Sequence, residues 1–191
     1  MDEIFMFIND LNISLFGYIN SFSGKYAILD QIVVFLSHDL NTGFILFLTI
    51  LSFFKGKEYR VLFAKTLLMV LLALLVCNII EHYYYHPRPF VLHLGHQLVN
   101  HVRTTSFPSH HTLTIAVIAF SYLIAGYRKI GILGILCSLL VGWSRIYIGV
   151  HYPLDVLGSL GIALILVNIT DLILNIIVLR FKKQISIQIL E

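Results

Sequence analysis

The sequence predicts an all-α integral membrane protein, a bundle of five transmembrane helices with an additional N-terminal interfacial helix. Hydrophobic residues make up 58% of the 191-residue chain and charged residues only 12%, with a mean hydropathy of +0.88. These values exclude an ordinary soluble domain. Several apolar runs also reach the roughly 20 residues that a helix needs to cross the hydrocarbon core of a bilayer. A bundle of six spans is the alternative.

Residues 4–22 predict an amphipathic helix that lies in the plane of the membrane. Apolar side chains recur at helical spacing from Ile4 onward, but Asn9, Asp10 and Asn12 interrupt them. This pattern is typical of an interfacial helix, because it contains more polar groups than a transmembrane helix usually does. A sixth span over the same residues is the alternative interpretation.

Five further apolar runs predict the transmembrane helices. Pro87 and Pro89 end the second run, because proline cannot continue a helix. Ser109 is suited to cap the start of the third run, and Pro153 is suited to the first turn of the fifth. The predicted spans cover residues 36–54, 62–81, 110–127, 130–149 and 154–174, and the one long loop covers residues 86–108.

Basic residues predict the orientation of the bundle. Most of them follow odd-numbered spans and therefore share one end, which the positive-inside rule places in the cytoplasm. The long loop and all nine histidines then lie toward the outer face. The residues at the cytoplasmic end are Lys55, Lys57, Arg60, Arg128, Lys129, Arg180, Lys182 and Lys183, against Lys25, Arg88, Arg103 and Arg145 at the outer end.

The densest group of polar residues runs from Ser144 to Asp155, between the last two spans. Arg145 offers a permanently charged fork that suits phosphate oxygens. Asp155 falls about one helical turn after His151, where a carboxylate can fix the tautomer and the orientation of the imidazole ring. Together these residues predict a phosphate site that contains a nucleophile.

Two other outer helix ends add to this site. Arg88 follows the second span, and His111 lies in the first turn of the third. The N-terminus of a helix presents unpaired N–H groups and a partial positive charge, which favour a bound anion. Two imidazoles beside a bound phosphate suit phosphoryl transfer, because one can attack while the other handles the proton.

Three motifs, in order along the chain, resemble the signatures of the type 2 phosphatidic-acid phosphatase superfamily. They are Arg88-Pro89, Pro108-Ser109-x-His111 and Ser144-Arg145-x5-His151-x3-Asp155. Within that superfamily, the sequences at 86–91, 106–112 and 151–159 are similar to the bacitracin-resistance type of undecaprenyl-diphosphatase. Each motif alone is a weak signal, whereas three in order, each at an outer helix end, are highly specific. The motifs lie within residues 81–160, and the hydropathy pattern extends the match to nearly the whole chain.

The resemblance implies a role for each residue of the motifs. His151 would attack and form a phosphohistidine, Asp155 would orient it, and His111 would protonate the leaving group. The family works without a metal ion or another cofactor. The residues expected at the substrate are Arg88, Arg145, Ser109, His110 and Ser144.

The chain departs from the family signatures at two positions. Glu81 stands where the first signature usually has lysine, and His110 stands where the second usually has glycine. We expect Glu81 to pair with Arg88, two turns along the same helix face, or with Arg103. His110 adds bulk and a potential donor at the edge of the phosphate.

The resemblance implies hydrolysis of undecaprenyl diphosphate to undecaprenyl phosphate and inorganic phosphate at the outer face of the bacterial cytoplasmic membrane. Such an enzyme recycles the lipid carrier of peptidoglycan precursors and is linked to bacitracin resistance. The expected partners are the membrane and a polyprenyl diphosphate lipid, with no nucleic acid; the oligomeric state is left open.

Two other functions are alternatives. A phosphatase of phosphatidic acid or phosphatidylglycerol phosphate would have the same motifs, because apolar residues alone do not distinguish prenyl from acyl chains. An ion or proton-coupled transporter would use Glu81 and the outer histidines as its path. The polar groups cluster at one surface and do not thread through the bilayer, which argues against the transporter.

Overall fold

The computed structural model describes residues 2–190, and this part of the chain is almost entirely helical. A short 3-10 helix, Pro89–Leu92, lies in the long loop between the third and fourth α-helices. The six α-helices are α1 Asp2–Asn20, α2 Ala27–Lys55, α3 Lys57–Tyr83, α4 His110–Ile124, α5 Arg128–Tyr147 and α6 Pro153–Leu190. The predicted all-helical membrane fold is confirmed.

Four helices, α2, α3, α5 and α6, are long and apolar enough to cross a membrane. The remaining predicted span, α4, has only 15 residues and ends at Ile124 instead of residue 127. Gly126 ends it by adopting a left-handed conformation, with φ of +86°, and by donating its N–H to the carbonyl of Leu123. This is the usual way in which a glycine terminates a helix.

Two helices are longer than the predicted spans. α2 begins at Ala27 instead of residue 36, and α6 continues past residue 174 to Leu190. The apolar lead-in from Ala27 is part of α2 itself. Neither extension contains a proline or a glycine that would break the helix. Hydropathy therefore located the centre of each helix but not its ends.

The short helix α4 lies at the centre of the bundle. Its contacts reach α2, α3, α5 and α6. Gly134 allows α5 to approach closely, because a Cβ at this position would lie 2.8 Å from the Cβ of Ala119. Burial on nearly every side explains how so short a helix is stabilised. The buried apolar side chains of α4 include Leu113, Ile115, Ala116, Val117, Ile118 and Ala119.

The N-terminal helix α1 lies across the C-terminal end of α5 and the N-terminal end of α6. Asn20 Nδ2 donates to the carbonyl of Tyr147 at 2.7 Å, where α5 ends. Asn12 Oδ1 accepts from the N–H of Leu154 at 3.0 Å, where α6 begins. Phe16, between these two contacts, is buried. α1 also contacts the long loop, where Asn20 Oδ1 accepts the N–H of His96 at 2.6 Å. Its helix contacts are with the ends of α5 and α6, as expected for a helix that lies across a bundle.

Candidate active site

A glycine turn at the end of α5 positions the predicted nucleophile. The N–H of Gly149 bonds to the carbonyl of Ile146, and the N–H of Val150 bonds to the carbonyl of Arg145, both at 3.1 Å. This pair of bonds is a Schellman motif, which requires a left-handed residue at the position of the glycine. Gly149 has φ of +84°. The turn reverses the chain and places His151 beside the residue that begins the motif, Arg145.

We expect Gly149→Ala to lower stability and activity more than the matched control Gly126→Ala. Both glycines are left-handed, which disfavours alanine by roughly 1–2 kcal/mol. Only at Gly149 would the new Cβ also meet backbone, 2.5 Å from the carbonyl oxygen of His96, whereas nothing lies within 4 Å at Gly126. Thermal unfolding in detergent and phosphate release would measure the two losses. Equal losses would contradict this account of the turn.

His151 and Asp155 are brought together in the buried layer between α5 and α6. Nδ1 of His151 lies 3.5 Å from Oδ2 of Asp155, and each side chain is only 2% exposed. The distance is longer than that of a formed hydrogen bond, as is common in a site without substrate, and it can shorten when the imidazole gains charge. This geometry favours a proton on Nδ1 and leaves the lone pair of Nε2 free for chemistry.

The carboxylate of Asp155 is itself held in place by groups that sequence reasoning missed. Oδ2 accepts the hydroxyl of Ser106 at 2.5 Å and the N–H of Tyr152 at 2.7 Å. Nδ1 of His86 lies 3.7 Å from Oδ1. Ser106 and His86 belong to the motif stretches, but only the folded loop determines that their side chains face this carboxylate. Asp155 is therefore fixed before it orients His151.

Burial keeps the imidazole of His151 neutral. His151 lies between α5 and α6, and burial lowers its pKa from the ordinary value of 6.5 to about 4. The Asp155 carboxylate opposes this shift, whereas the charge of Arg88 adds to it. At neutral pH the ring therefore carries the unprotonated nitrogen that a nucleophile needs.

The guanidinium of Arg88 donates to the unprotonated nitrogen of this imidazole, so the lone pair of Nε2 can attack only after a bound phosphate has accepted that N–H instead. Nη1 lies 3.1 Å from Nε2 of His151 and donates to the carbonyl of Val150 at 2.9 Å. Nη2 donates to the hydroxyl of Thr104 at 3.2 Å. Burial lowers the pKa of Arg88 from its ordinary value, but a guanidinium keeps its charge. A permanent cation thus stands where the nucleophile would meet phosphate.

Arg145 supplies a second buried cation. Its side chain is only 1% exposed, and Nη1 donates to the hydroxyl of Ser37 on α2 at 2.9 Å. Within residues 2–190, neither Nε of Arg145 nor Nε of Arg88 has a hydrogen-bond partner. Buried charged donors of this kind suit an anion that can accept several of them at once.

Arg88, Arg145 and His151 line one pocket of about 250 Å³ at the end of the bundle where α3 ends and α4 begins. α3, the long loop, α4, α5 and the turn before α6 all contribute to it. Two of its residues, His101 and Thr104, come from the loop and were not among the predicted site residues. The complete lining is Glu81, Arg88, His101, Thr104, His110, His111, Arg145 and His151.

Comparison with known proteins shows the family to which the chain belongs. Residues 62–176 match the model of the PAP2 superfamily. The chain belongs to the PAP2 superfamily. It is 37% identical over 158 residues to the undecaprenyl-diphosphatase BcrC of Bacillus subtilis strain 168. The alignment covers 82% of this chain and 80% of that protein. The predicted resemblance is confirmed, and the chain is a membrane phosphatase of this superfamily.

Two solved structures of PAP2 proteins are similar to this one. The crystal structure of Aquifex aeolicus LpxE has a TM-score of 0.70 at 29% identity, covering 84% of this chain and 94% of that one. The first transmembrane PAP2 type phosphatidylglycerolphosphate phosphatase from Bacillus subtilis has a TM-score of 0.65 at 23% identity, covering 86% and 84%. The second likeness shows the fold alone.

Two serines of the PAP2 motifs lie outside the pocket. The N–H of Ser109 donates to the hydroxyl of Ser159 at 2.8 Å, and its own hydroxyl lies 3.1 Å from that of Thr112. Ser144 donates to the carbonyl of Val141 at 2.7 Å, within α5. Because both serines are fully buried and bonded inside the protein, the structure does not bring them to the position expected for phosphate-binding groups.

The expected pairing of Glu81 with Arg88 or Arg103 is wrong. Within residues 2–190 its close ion-pair partner is instead the histidine His110, whose Nε2 lies 2.9 Å from Oε1 of Glu81. α3 ends at Tyr83, so Arg88 does not lie on the helix face of Glu81. His110 is instead the first residue of α4 and meets the last turn of α3.

A second cavity, of about 340 Å³, lies on the other side of Asp155. α1 forms one wall with Phe5 and Ile8, and Tyr84 and Phe107 form much of another. It is larger than the pocket that contains Arg88 and Arg145, but among residues 2–190 no arginine or lysine lines it. The smaller pocket is therefore the candidate phosphate site, and the larger one is chiefly apolar.

Proposed function

We propose that this PAP2 phosphatase hydrolyses undecaprenyl diphosphate to undecaprenyl phosphate and inorganic phosphate, recycling the carrier of cell-wall precursors. The observation that carries the proposal is the contact between Nε2 of His151 and the Arg88 guanidinium at 3.1 Å, because it joins a neutral nucleophile to a phosphate-binding cation. The similarity to BcrC, which is named an undecaprenyl-diphosphatase, supports this choice of substrate.

In the first step, Nε2 of His151 attacks the terminal phosphorus of the diphosphate. The bond from that phosphorus to the bridging oxygen breaks, and the departing lipid monophosphate takes a proton from His111, which lines the same pocket and must enter this step as the imidazolium, having gained its second proton beside the bound anion. Arg88 and Arg145 stabilise the charge that develops on the phosphoryl oxygens. Asp155 stabilises the positive charge that the His151 ring acquires.

In the second step, His111 takes a proton from a water molecule that attacks the phosphohistidine. The bond between phosphorus and nitrogen breaks, inorganic phosphate leaves, and His151 returns to its neutral form. The same imidazole therefore acts as acid and then as base. The two arginines supply the positive charge throughout, so no step requires a metal ion.

Phosphate release from a panel of lipid substrates in EDTA tests the proposal. We expect undecaprenyl diphosphate to give a higher kcat/KM than phosphatidic acid or phosphatidylglycerol phosphate, and EDTA to leave the rate unchanged because the arginines bind the phosphate. Purified His151→Ala controls for contaminating phosphatases. Preference for either monophosphate would favour the alternative function, and release from none of the three would exclude the proposal.

The active site is proposed to face the outside of the cytoplasmic membrane. The basic turn between α2 and α3 lies at one end of α3, and the pocket lies at the other. With 27 residues α3 is about 40 Å long, enough to separate the two across a bilayer. The concentration of lysine and arginine at the end away from the pocket supports this orientation.

We expect Asn100→Cys to react with a membrane-impermeant thiol reagent in intact cells. Asn100 is exposed in the long loop, and the native cysteines, Cys77 and Cys137, are both buried. Glu58→Cys, exposed at the opposite end, is the matched control and should react only after lysis. The reverse pattern of labelling would overturn the orientation.

A further inference from the structure

The two positions at which this chain departs from the PAP2 signatures touch each other. Glu81 lies in the last turn of α3 and His110 is the first residue of α4. Nε2 of His110 lies 2.9 Å from Oε1 of Glu81, a close contact between polar atoms in which Nε2 makes no hydrogen bond of good geometry within residues 2–190. Both residues also line the phosphate pocket, so the pair belongs to the surface that a substrate would meet.

The pair occupies the rim of the pocket, whereas the nucleophile lies at its base. The side chains of His110 and Glu81 are 37% and 23% exposed. Arg88 and His151 are 5% and 2% exposed. The phosphoryl group attacked by His151 must therefore sit deep, and the part of the substrate that follows it must pass the rim.

The charges at the rim of the pocket determine which substrate groups bind there. A carboxylate alone beside an anion pocket would repel phosphate. A histidine with a proton on both ring nitrogens can donate through each of them; in that form His110 would offset the charge of Glu81 through Nε2 and would offer Nδ1 to the substrate as a charged donor. Charged donors bind phosphate oxygens more strongly than neutral donors do, and an apolar or glycerol group gains nothing from them.

We propose that the Glu81–His110 pair recognises the second phosphoryl group of a lipid diphosphate and thereby selects diphosphates over monophosphates. His110 is the binding residue, and Glu81 positions its ring. This inference rests on the proposed function, because only a diphosphate has a phosphoryl group between the attacked phosphorus and the lipid. In a lipid monophosphate the same place holds an ester oxygen and its carbon chain.

The test is a double-mutant cycle with Glu81→Gln, His110→Gln and the double variant, each measured on undecaprenyl diphosphate and on phosphatidic acid. His110→Gln should lower kcat/KM on the diphosphate by about 10–100-fold, as expected for a lost charged hydrogen bond, chiefly through KM. The loss on phosphatidic acid should be less than about threefold. Adding Glu81→Gln should restore part of the diphosphate activity, because it removes the carboxylate left without a partner.

His93→Gln is the matched control, since His93 is an exposed histidine of the same loop and does not line the pocket; it should change neither rate. Equal losses on both substrates in His110→Gln would overturn the selectivity. Absence of rescue in the double variant would overturn the pairing. Wild-type protein that releases no phosphate from the diphosphate would instead refute the proposed function, which keeps the two failures distinct.

Discussion

His151→Ala is expected to lower the kcat of phosphate release by about 10⁴-fold or more, the largest loss of any single substitution. Nε2 of His151 is the neutral nitrogen beside the Arg88 guanidinium. The other pocket histidines lack its carboxylate contact with Asp155 at 3.5 Å. Without this ring, the bound phosphate has no positioned nucleophile, and the arginines alone give little turnover.

The measurement is single-turnover cleavage of undecaprenyl diphosphate in detergent, with His93→Ala as the matched control. Because His151 is buried, thermal unfolding of each variant must be compared, so that a loss of chemistry is not mistaken for a loss of fold. Wild-type turnover in a folded His151→Ala would refute its role as nucleophile.

Asp155→Asn is expected to lower kcat by about 10³–10⁴-fold while leaving the fold intact. In the wild-type protein the Ser106 hydroxyl and the Tyr152 N–H donate to Oδ2 of Asp155 at 2.5 and 2.7 Å. The amide has the same shape as the carboxylate, and its oxygen can still accept both bonds. It cannot stabilise the positive charge on His151. With the amide oxygen in the place of Oδ2, the NH₂ group takes the place of Oδ1 and faces Nδ1 of His86, now 3.7 Å away, so the loss comes from the missing negative charge beside His151.

Asp171→Asn is the matched control for this substitution. It changes a carboxylate of the same helix, one that pairs with Lys65 away from the phosphate pocket. Its turnover should stay close to that of wild type. Equal rates for Asp155→Asn and Asp171→Asn would show that the carboxylate beside His151 neither orients the imidazole ring nor stabilises its positive charge.

The fold could be predicted because its main signal is local. Apolar runs identify helices in a membrane protein since every backbone polar group in the bilayer must be bonded within its own helix. The ends were harder to predict. α4 ends at Ile124, two residues before the left-handed Gly126, and α2 begins at Ala27; the hydropathy of a run locates neither end.

The site could be predicted only where its residues are close in sequence. His151 and Asp155 lie one turn apart, so their contact follows from helical spacing. The contact of Asp155 with Ser106 and that of Arg88 with Thr104 depend on the path of the long loop. The Glu81–His110 contact depends on how α3 meets α4. Neither the path of the loop nor the packing of α3 against α4 can be inferred from the spacing of residues in the sequence.

The central claim, that His151 becomes a phosphohistidine, is tested most directly by trapping the phosphorylated enzyme. Wild-type protein and His111→Ala would be mixed with undecaprenyl diphosphate, quenched in alkali within one turnover, and mapped by mass spectrometry. We predict a base-stable, acid-labile phosphate on His151, more abundant in His111→Ala because the water that hydrolyses it is no longer activated. Phosphate release with no phosphate on the protein, or with phosphate on another residue, would contradict the account.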